Sequence, residues 1–214
     1  MANLLVFLHG SGDSGPGVRS WADPTGAFER RLRSLGVVCS WPSAPARPYS
    51  LMGGAQSAVW FDRTALLPSG PEDHDGVATS CEQVSALIAE HRAAQAPHMC
   101  KVAVVGFSQG GCLALHVGSG ARAAKDGIDA VVCISSFLPN DSTVRSAPGG
   151  PPLFMLHGSD DRMVPAPWGK ETAEALRSSG RSVQWELYRA EHELTPAIVD
   201  ATLAFVVREL GLQR

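Results

Sequence analysis

Lys101-Val102-Ala103-Val104-Val105-Gly106-Phe107-Ser108-Gln109-Gly110-Gly111 is the stretch that decides the fold. Its first half is a continuous apolar run, as expected of a strand covered on both faces, and the segment from Gln109 to Gly120 carries apolar residues at helical spacing. Between the two, Gly106 to Gly110 reads G-x-S-x-G, with Ser108 at the change from strand to helix. A sharp turn there lifts a hydroxyl to the edge of a sheet, where it can act as a nucleophile. The plainer alternative is a serine that only caps the helix.

Working outward, similar apolar runs recur at Leu4 to Leu8, Val37 to Ser40, Asp129 to Ser135 and Leu153 to Leu156. A sixth run, Ser182 to Tyr188, alternates more and reads as an edge strand. Helical spacing fills Gly17 to Leu35, Gly76 to Ala94, Trp168 to Ser179 and Pro196 to Leu210, and in the second of these Val84, Leu87, Ile88 and His91 share one face. Gly36 and Gly180 lie just past two helix ends, and Pro196 suits the first turn of the last helix. Alternation of this kind predicts an α/β protein, a mostly parallel central sheet flanked by helices, in a single domain spanning residues 1–214. Two long connections, Trp41 to Asp75 and Pro139 to Pro152, are rich in Pro, Gly and Ser and read as loops; loops of that length are usually functional or mobile.

Composition narrows the chemistry. The 214 residues are 44% hydrophobic and 18% charged, which excludes a disordered chain. Lys and Arg number 18 against 21 Asp and Glu, for a net charge of −3 with no basic run, so no nucleic-acid partner is expected. Apolar stretches are interrupted well short of the ~20 residues of a membrane helix, and no basic segment precedes an apolar one at the start. The expectation is a cytoplasmic protein without stable membrane insertion. The five cysteines, Cys39, Cys81, Cys100, Cys112 and Cys133, form no C-x-x-C pair and read as reduced, packed thiols, so neither a metal nor an organic cofactor is expected.

A serine hydroxyl needs a base within hydrogen-bond reach and a carboxylate to fix that base's tautomer. The chain order of an elbow-type hydrolase is serine, acid, histidine. His192, in Ala190-Glu191-His192-Glu193-Leu194 between the sixth strand and the last helix, stands where a side chain reaches the carboxyl edge of the sheet, and it is the expected base. His157 ends a strand and reads as ordering the loop after it, while His116 falls inside the helix after the elbow. His157-Gly158-Ser159-Asp160-Asp161 follows the fifth strand, and spacing alone leaves Asp160 and Asp161 both open as the acid. The oxyanion needs amide donors: one is Gln109 N–H, directly after the nucleophile, and the other is expected from the glycine-rich loop Leu8 to Gly15, which can bring Ser11 N–H to the substrate. That loop contains G-x-G-x-x-G at Gly10, Gly12 and Gly15. A phosphate cradle is nevertheless disfavoured, because neither G-K-[ST] nor an acidic partner after a second strand is present.

Taken together, Phe7 to Gly15, Pro42 to Arg47, Val59 to Arg63, Gly106 to Gly111, His157 to Asp161 and His192 resemble the acyl-protein thioesterase, lysophospholipase and carboxylesterase branch of the α/β-hydrolases over almost the whole chain. The resemblance implies a nearly minimal α/β-hydrolase fold and hydrolysis of carboxylic esters or thioesters, of a small molecule or of an S-acylated protein or lipid. It also implies Asp161 as the acid, at the fifth position of H-G-x-x-D, and Ser11 as the second oxyanion donor, after H-G. Ser11 and Val59-Trp60-Phe61-Asp62-Arg63 are closest to the lysophospholipase-like subgroup. The chain starts directly at its first core strand, without the N-terminal extension and cysteine that relatives use for lipid attachment, so recycling on membranes by that route is not expected. A non-catalytic ligand-binding module on the same fold is the rival reading.

Apolar side chains in the loops after strands are the expected walls of an acyl pocket: Trp60, Phe61, Leu66, Leu67, Phe137, Leu138, Met163 and Val164. Arg63 stands in the same loop as Trp60 and Phe61. A charge aimed into a long apolar tunnel carries a desolvation cost above the gain from several methylenes, which predicts a shallow pocket and short acyl groups of about two to eight carbons.

Overall fold

The computed structural model describes residues 2–96 and 100–212. Six strands, β1 (Asn3–Leu8), β2 (Val37–Ser40), β5 (Val102–Phe107), β6 (Ala130–Ile134), β7 (Leu153–Gly158) and β8 (Val183–Tyr188), form one parallel sheet in the order β2-β1-β5-β6-β7-β8. The chain runs outward from β1 to β2, returns to β5, and builds the other half from there. The order therefore reverses between β1 and β5, and the crevice beyond their carboxyl ends is where open parallel sheets bind ligands. Leu8 pairs with Gly106 at that end, which puts the loop after β1 beside the loop after β5.

Each central strand alternates between two cores. Leu4, Val6, Val102, Val104, Val131 and Met155 pack toward α3 (His74–Gln95), α4 (Gln109–Val117) and α6 (Ala166–Ser178). Leu5, Phe7, Ala103, Val105, Val132 and Phe154 pack toward α1 (Gly15–Ala22), α2 (Ala27–Ser34) and α7 (Pro196–Glu209). With both faces covered, the period-2 pattern of a strand collapses into an unbroken apolar run. Each Leu, Val or Phe buried this way contributes about 1.5–3 kcal/mol of transfer free energy, which fixes the register of the strands that carry the site. Among the described residues β8 pairs only with β7, as an edge strand does; Val183 and Trp185 pack against one core and Tyr188 against the other, while Leu187 is exposed.

Three elements differ from the sequence expectation. The helix expected over Gly17 to Leu35 is two helices. Asp23 closes α1, Pro24 follows, Gly26 takes φ +69°, and the Asp23 carboxylate accepts the amides of Phe28 and Glu29 at the start of α2. The helix expected over Gln109 to Gly120 stops at Gly118, and a separate α5 (Gly120–Asp126) begins after Ser119. The loop Trp41 to Asp75 contains an antiparallel hairpin, β3 (Ala46–Tyr49) and β4 (Ala55–Ala58), joined through a 3₁₀ turn and Gly53-Gly54, both at positive φ. Its strands, Ala-Arg-Pro-Tyr and Ala-Gln-Ser-Ala, have no apolar alternation to reveal them.

Candidate active site

β5 ends by delivering Ser108 into a conformation few side chains adopt, φ 53° and ψ −119°. Such strain costs on the order of 1–3 kcal/mol and persists only where the surroundings enforce it. Ser108 N–H donates to Ile134 O on β6 at 2.9 Å, and α4 starts at once with Gln109. The turn is tight enough to demand glycine on both sides: a Cβ on Gly106 would stand 2.0 Å from Gly110 O, and one on Gly110 would stand 2.3 Å from Leu8 O.

His192 stands in the turn between β8 and α7 with its Nε2 3.0 Å from Ser108 Oγ and its Nδ1 2.7 Å from Asp161 Oδ2. Its ring also packs on Phe107, 4.8 Å between centroids. The acid loop and the histidine loop are joined through their backbones: Ser159 N–H donates to Tyr188 O at 2.7 Å and Asp160 N–H to Ala190 O at 3.0 Å. That pairing leaves the Asp160 side chain exposed and turns Asp161 inward. Asp161 Oδ1 accepts the amides of Met163 and Val164 at 3.0 and 2.8 Å. Burial opposes its charge, yet hydrogen bonds from His157, His192 and the Val164 amide hold its carboxyl well below the usual carboxylate range. With Asp161 ionised, Nδ1 of His192 is the protonated nitrogen and Nε2 faces Ser108 as an acceptor. His157 lies behind Asp161, with Nε2 donating to Val164 O at 2.7 Å, and so orders the acid loop.

The amides of Ser11 and Gln109 donate to no backbone carbonyl among the described residues. Both residues line one small recess, which Ser108 also lines. The loop that carries Ser11 is braced by His9, fully buried, whose Nε2 accepts Ala44 N–H at 2.9 Å. Its proton is therefore on Nδ1, which donates to Gly10 O at 2.6 Å, and burial lowers its pKa so that the ring stays neutral. An open cleft of about 560 Å³ also meets Ser108 and Ser11 and is lined by His192, Trp21, Phe107 and Met163.

Of the residues expected to touch the acyl chain, Phe137 and Val164 line the recess, as does Leu66, and Met163 stands 59% exposed on the open cleft. Trp60, Phe61 and Leu138 do not: they are buried in the core, which corrects that expectation. Trp60 N–H donates to Gln109 Oε1 at 2.9 Å and its indole to His9 O at 2.9 Å, while Leu138 N–H donates to Thr172 Oγ1 at 3.1 Å. An apolar residue in a loop packs wherever its backbone partners hold it, and here those partners face inward. Leu67 lies outside the recess and is exposed. Two wall residues gave no sequence signal: Tyr49, at the end of the unforeseen hairpin, whose side chain bonds that of Ser11, and Ser136 after β6. Arg63 also lines the recess, 6% exposed, with its guanidinium 4.7 Å from the centre of the Phe137 ring and 5.3 Å from that of Phe61. Two such faces contribute on the order of 0.5–2 kcal/mol each.

Among the described residues, Glu72, Cys112 and His116 place donor atoms of metal-ligand type within 4.8 Å of one another. They are buried, and His116 Nε2 is hydrogen-bonded to Glu72 at 2.8 Å. The group satisfies itself.

A protein-family model described as Phospholipase/Carboxylesterase matches residues 1–208. The mouse lysophospholipase-like protein 1 is 34% identical over 212 residues, covering 96% of this chain and 86% of that one. Among solved structures, Arabidopsis thaliana SOBER1 aligns with a TM-score of 0.81 at 25% identity, over 98% of this chain and 100% of that one. Zea mays acyl-protein thioesterase 2 aligns with a TM-score of 0.79 at 27% identity, over 98% and 94%.

Proposed function

The chain belongs to the phospholipase/carboxylesterase family of α/β-hydrolases, and we propose that it hydrolyses carboxylic esters and thioesters through an acyl-enzyme formed on Ser108. The observation that carries this reading is the continuous path from Asp161 Oδ2 to His192 Nδ1 at 2.7 Å and from His192 Nε2 to Ser108 Oγ at 3.0 Å. As Oγ bonds to the acyl carbon, its proton passes to Nε2, and Asp161 stabilises the imidazolium that forms. The oxyanion accepts the unpaired amides of Ser11 and Gln109, an arrangement worth several kcal/mol of transition-state stabilisation. His192 returns the proton to the departing oxygen or sulfur, the carbon–heteroatom bond breaks, and water repeats the sequence to free the acid.

The two spaces around Ser108 suggest which end of the substrate goes where. The proton donor to the leaving group is His192, so the leaving group is assigned the cleft His192 lines, and the acyl group the recess that Gln109 lines. That recess is small and walled by Arg63 as well as by Phe137 and Val164, which supports short acyl groups. The open cleft, with Trp21 and Met163 exposed at 44% and 59%, leaves room for a bulky leaving group such as the thiol of a protein. A fluorophosphonate probe tests the assignment: labelling that disappears in Ser108→Ala supports it, and an unlabelled wild-type protein would favour the ligand-binding module instead.

A further inference from the structure

Arg63 is a buried cation without a counter-ion. No carboxylate lies within 4.0 Å of its guanidinium among the described residues, and its neighbour Asp62 is turned away, accepting from the Ser50 amide and hydroxyl at 2.8 and 2.5 Å. What it has are the faces of Phe61 and Phe137, which offset only part of the desolvation of a cation. A buried charge left in this state is disfavoured unless something brings the missing partner. The wall around it is also unlike that of a tunnel for hydrocarbon: Ser11, Tyr49 and Ser136, all hydroxyl-bearing residues, line the same small recess.

We infer that Arg63 is a specificity residue that selects acyl groups ending in a carboxylate, so that the preferred substrates are half-esters or half-thioesters of short dicarboxylic acids. The inference rests on the assignment of the recess to the acyl group. A carboxylate matches the planar fork of the guanidinium with two parallel hydrogen bonds, and it supplies the charge the recess lacks. Phe61 and Phe137 hold the fork in place, so little side-chain entropy is lost on binding. The reaction is ordinary hydrolysis: the serine ester carries the free carboxylate at its far end, and water releases the dicarboxylic acid.

The test compares pairs matched in carbon number: monoethyl succinate with ethyl butyrate, and monoethyl glutarate with ethyl pentanoate, with active sites counted by fluorophosphonate titration. In the wild-type enzyme kcat/KM should favour the anionic member of at least one pair by about tenfold or more, and in Arg63→Met that ratio should fall by about 10- to 100-fold. Arg63→Lys, which keeps the charge and loses the fork, should lie between. Free glutarate should inhibit wild-type hydrolysis of ethyl acetate at a concentration at least about tenfold below that needed of glutaramide, a measurement that needs no variant. Neutral esters turned over as well as their anionic partners, or a ratio unchanged in Arg63→Met, would overturn the inference while leaving the nucleophile assignment intact. Absence of probe labelling and of all turnover would instead overturn the assignment beneath it.

Discussion

Gln109 clamps Trp60 to the nucleophile turn: its Oε1 accepts the Trp60 amide at 2.9 Å, and its Nε2 donates to the carbonyl of the next residue, Phe61, at 2.8 Å. The residue whose backbone N–H is the proposed oxyanion donor thus also fixes, through its side chain, the loop that ends in Arg63. Gln109→Ala should leave a buried N–H and a buried C=O unpaired, at about 1–3 kcal/mol each, visible as a lower urea midpoint. It should also lower kcat/KM although its backbone donor is kept. Unchanged stability together with unchanged kinetics would show that the clamp has no role in holding the recess.

Ser108→Ala should abolish turnover without loss of stability, because the proposed acyl-enzyme forms on its hydroxyl and releasing φ 53° to a smaller side chain costs no packing. Residual ester hydrolysis above a few per cent of wild type would rule the residue out as nucleophile. Cys112→Ala, one turn further along α4, is the matching control and should remain active.

Asp161→Asn should lower kcat by about 10³ to 10⁴, since an amide in place of Oδ2 no longer fixes the tautomer that leaves Nε2 free. Asp160→Asn should have little effect, because only its backbone joins the two loops. The Asp161 carboxyl is held well below the usual carboxylate range, so in the wild-type enzyme it should add no ionisation of its own to the pH–rate profile between pH 5 and 8. Equal damage from the two substitutions would place the acid elsewhere.

The sheet and the serine turn were readable from sequence because both rest on local patterns: buried parallel strands are unbroken apolar runs, and a strand-to-helix turn that tight needs glycine before and after its serine. The placement of His192 and of the acid loop beside Ser108 was readable because elbow-type chemistry prescribes their order in the chain, although preferring Asp161 to Asp160 needed the family resemblance. The hairpin β3–β4 was not, since Arg47, Pro48, Gln56 and Ser57 carry no strand signal and their pairing is made across the loop. The positions of Trp60 and Leu138 were not either. Their burial is decided by partners 49 and 34 residues away, Gln109 and Thr172, and an apolar side chain looks the same in a core as in a pocket wall.

The buried pair Glu72 and His116 gives a pH prediction for stability. Burial disfavours the charge on His116, but hydrogen bonds to Cys112 and Glu72 outweigh it and raise the imidazole to about 9 from 6.5. Burial likewise opposes the Glu72 charge, and the bond to His116 holds that carboxyl below its ordinary 4.5. The histidine therefore contributes stability that is complete below about pH 6.5 and disappears as pH rises through about 9; the glutamate contributes stability that is present above about 4.5 and disappears as pH falls. Urea midpoints should peak between those limits and decline toward pH 9. Glu72→Gln should cost about 3–5 kcal/mol and flatten the alkaline decline.

The preference for acyl length follows from the balance between methylene burial and the charge in the recess. An open apolar tunnel adds about 0.8 kcal/mol of binding per buried CH₂, so kcat/KM on neutral p-nitrophenyl esters would climb steadily with chain length. Here the recess beside Ser108 is small and one of its walls is Arg63, 6% exposed. A longer neutral chain would have to displace or desolvate that guanidinium further, and desolvating an ion costs several kcal/mol, more than a few methylenes return. Rates should therefore level off or fall beyond about eight carbons, with acetate to octanoate hydrolysed best. Arg63→Leu removes the charge and leaves an apolar wall, so its optimum should move toward longer chains. A wild-type kcat/KM still rising at twelve to sixteen carbons would mean that the recess opens into a tunnel and that Arg63 turns aside to let the chain pass.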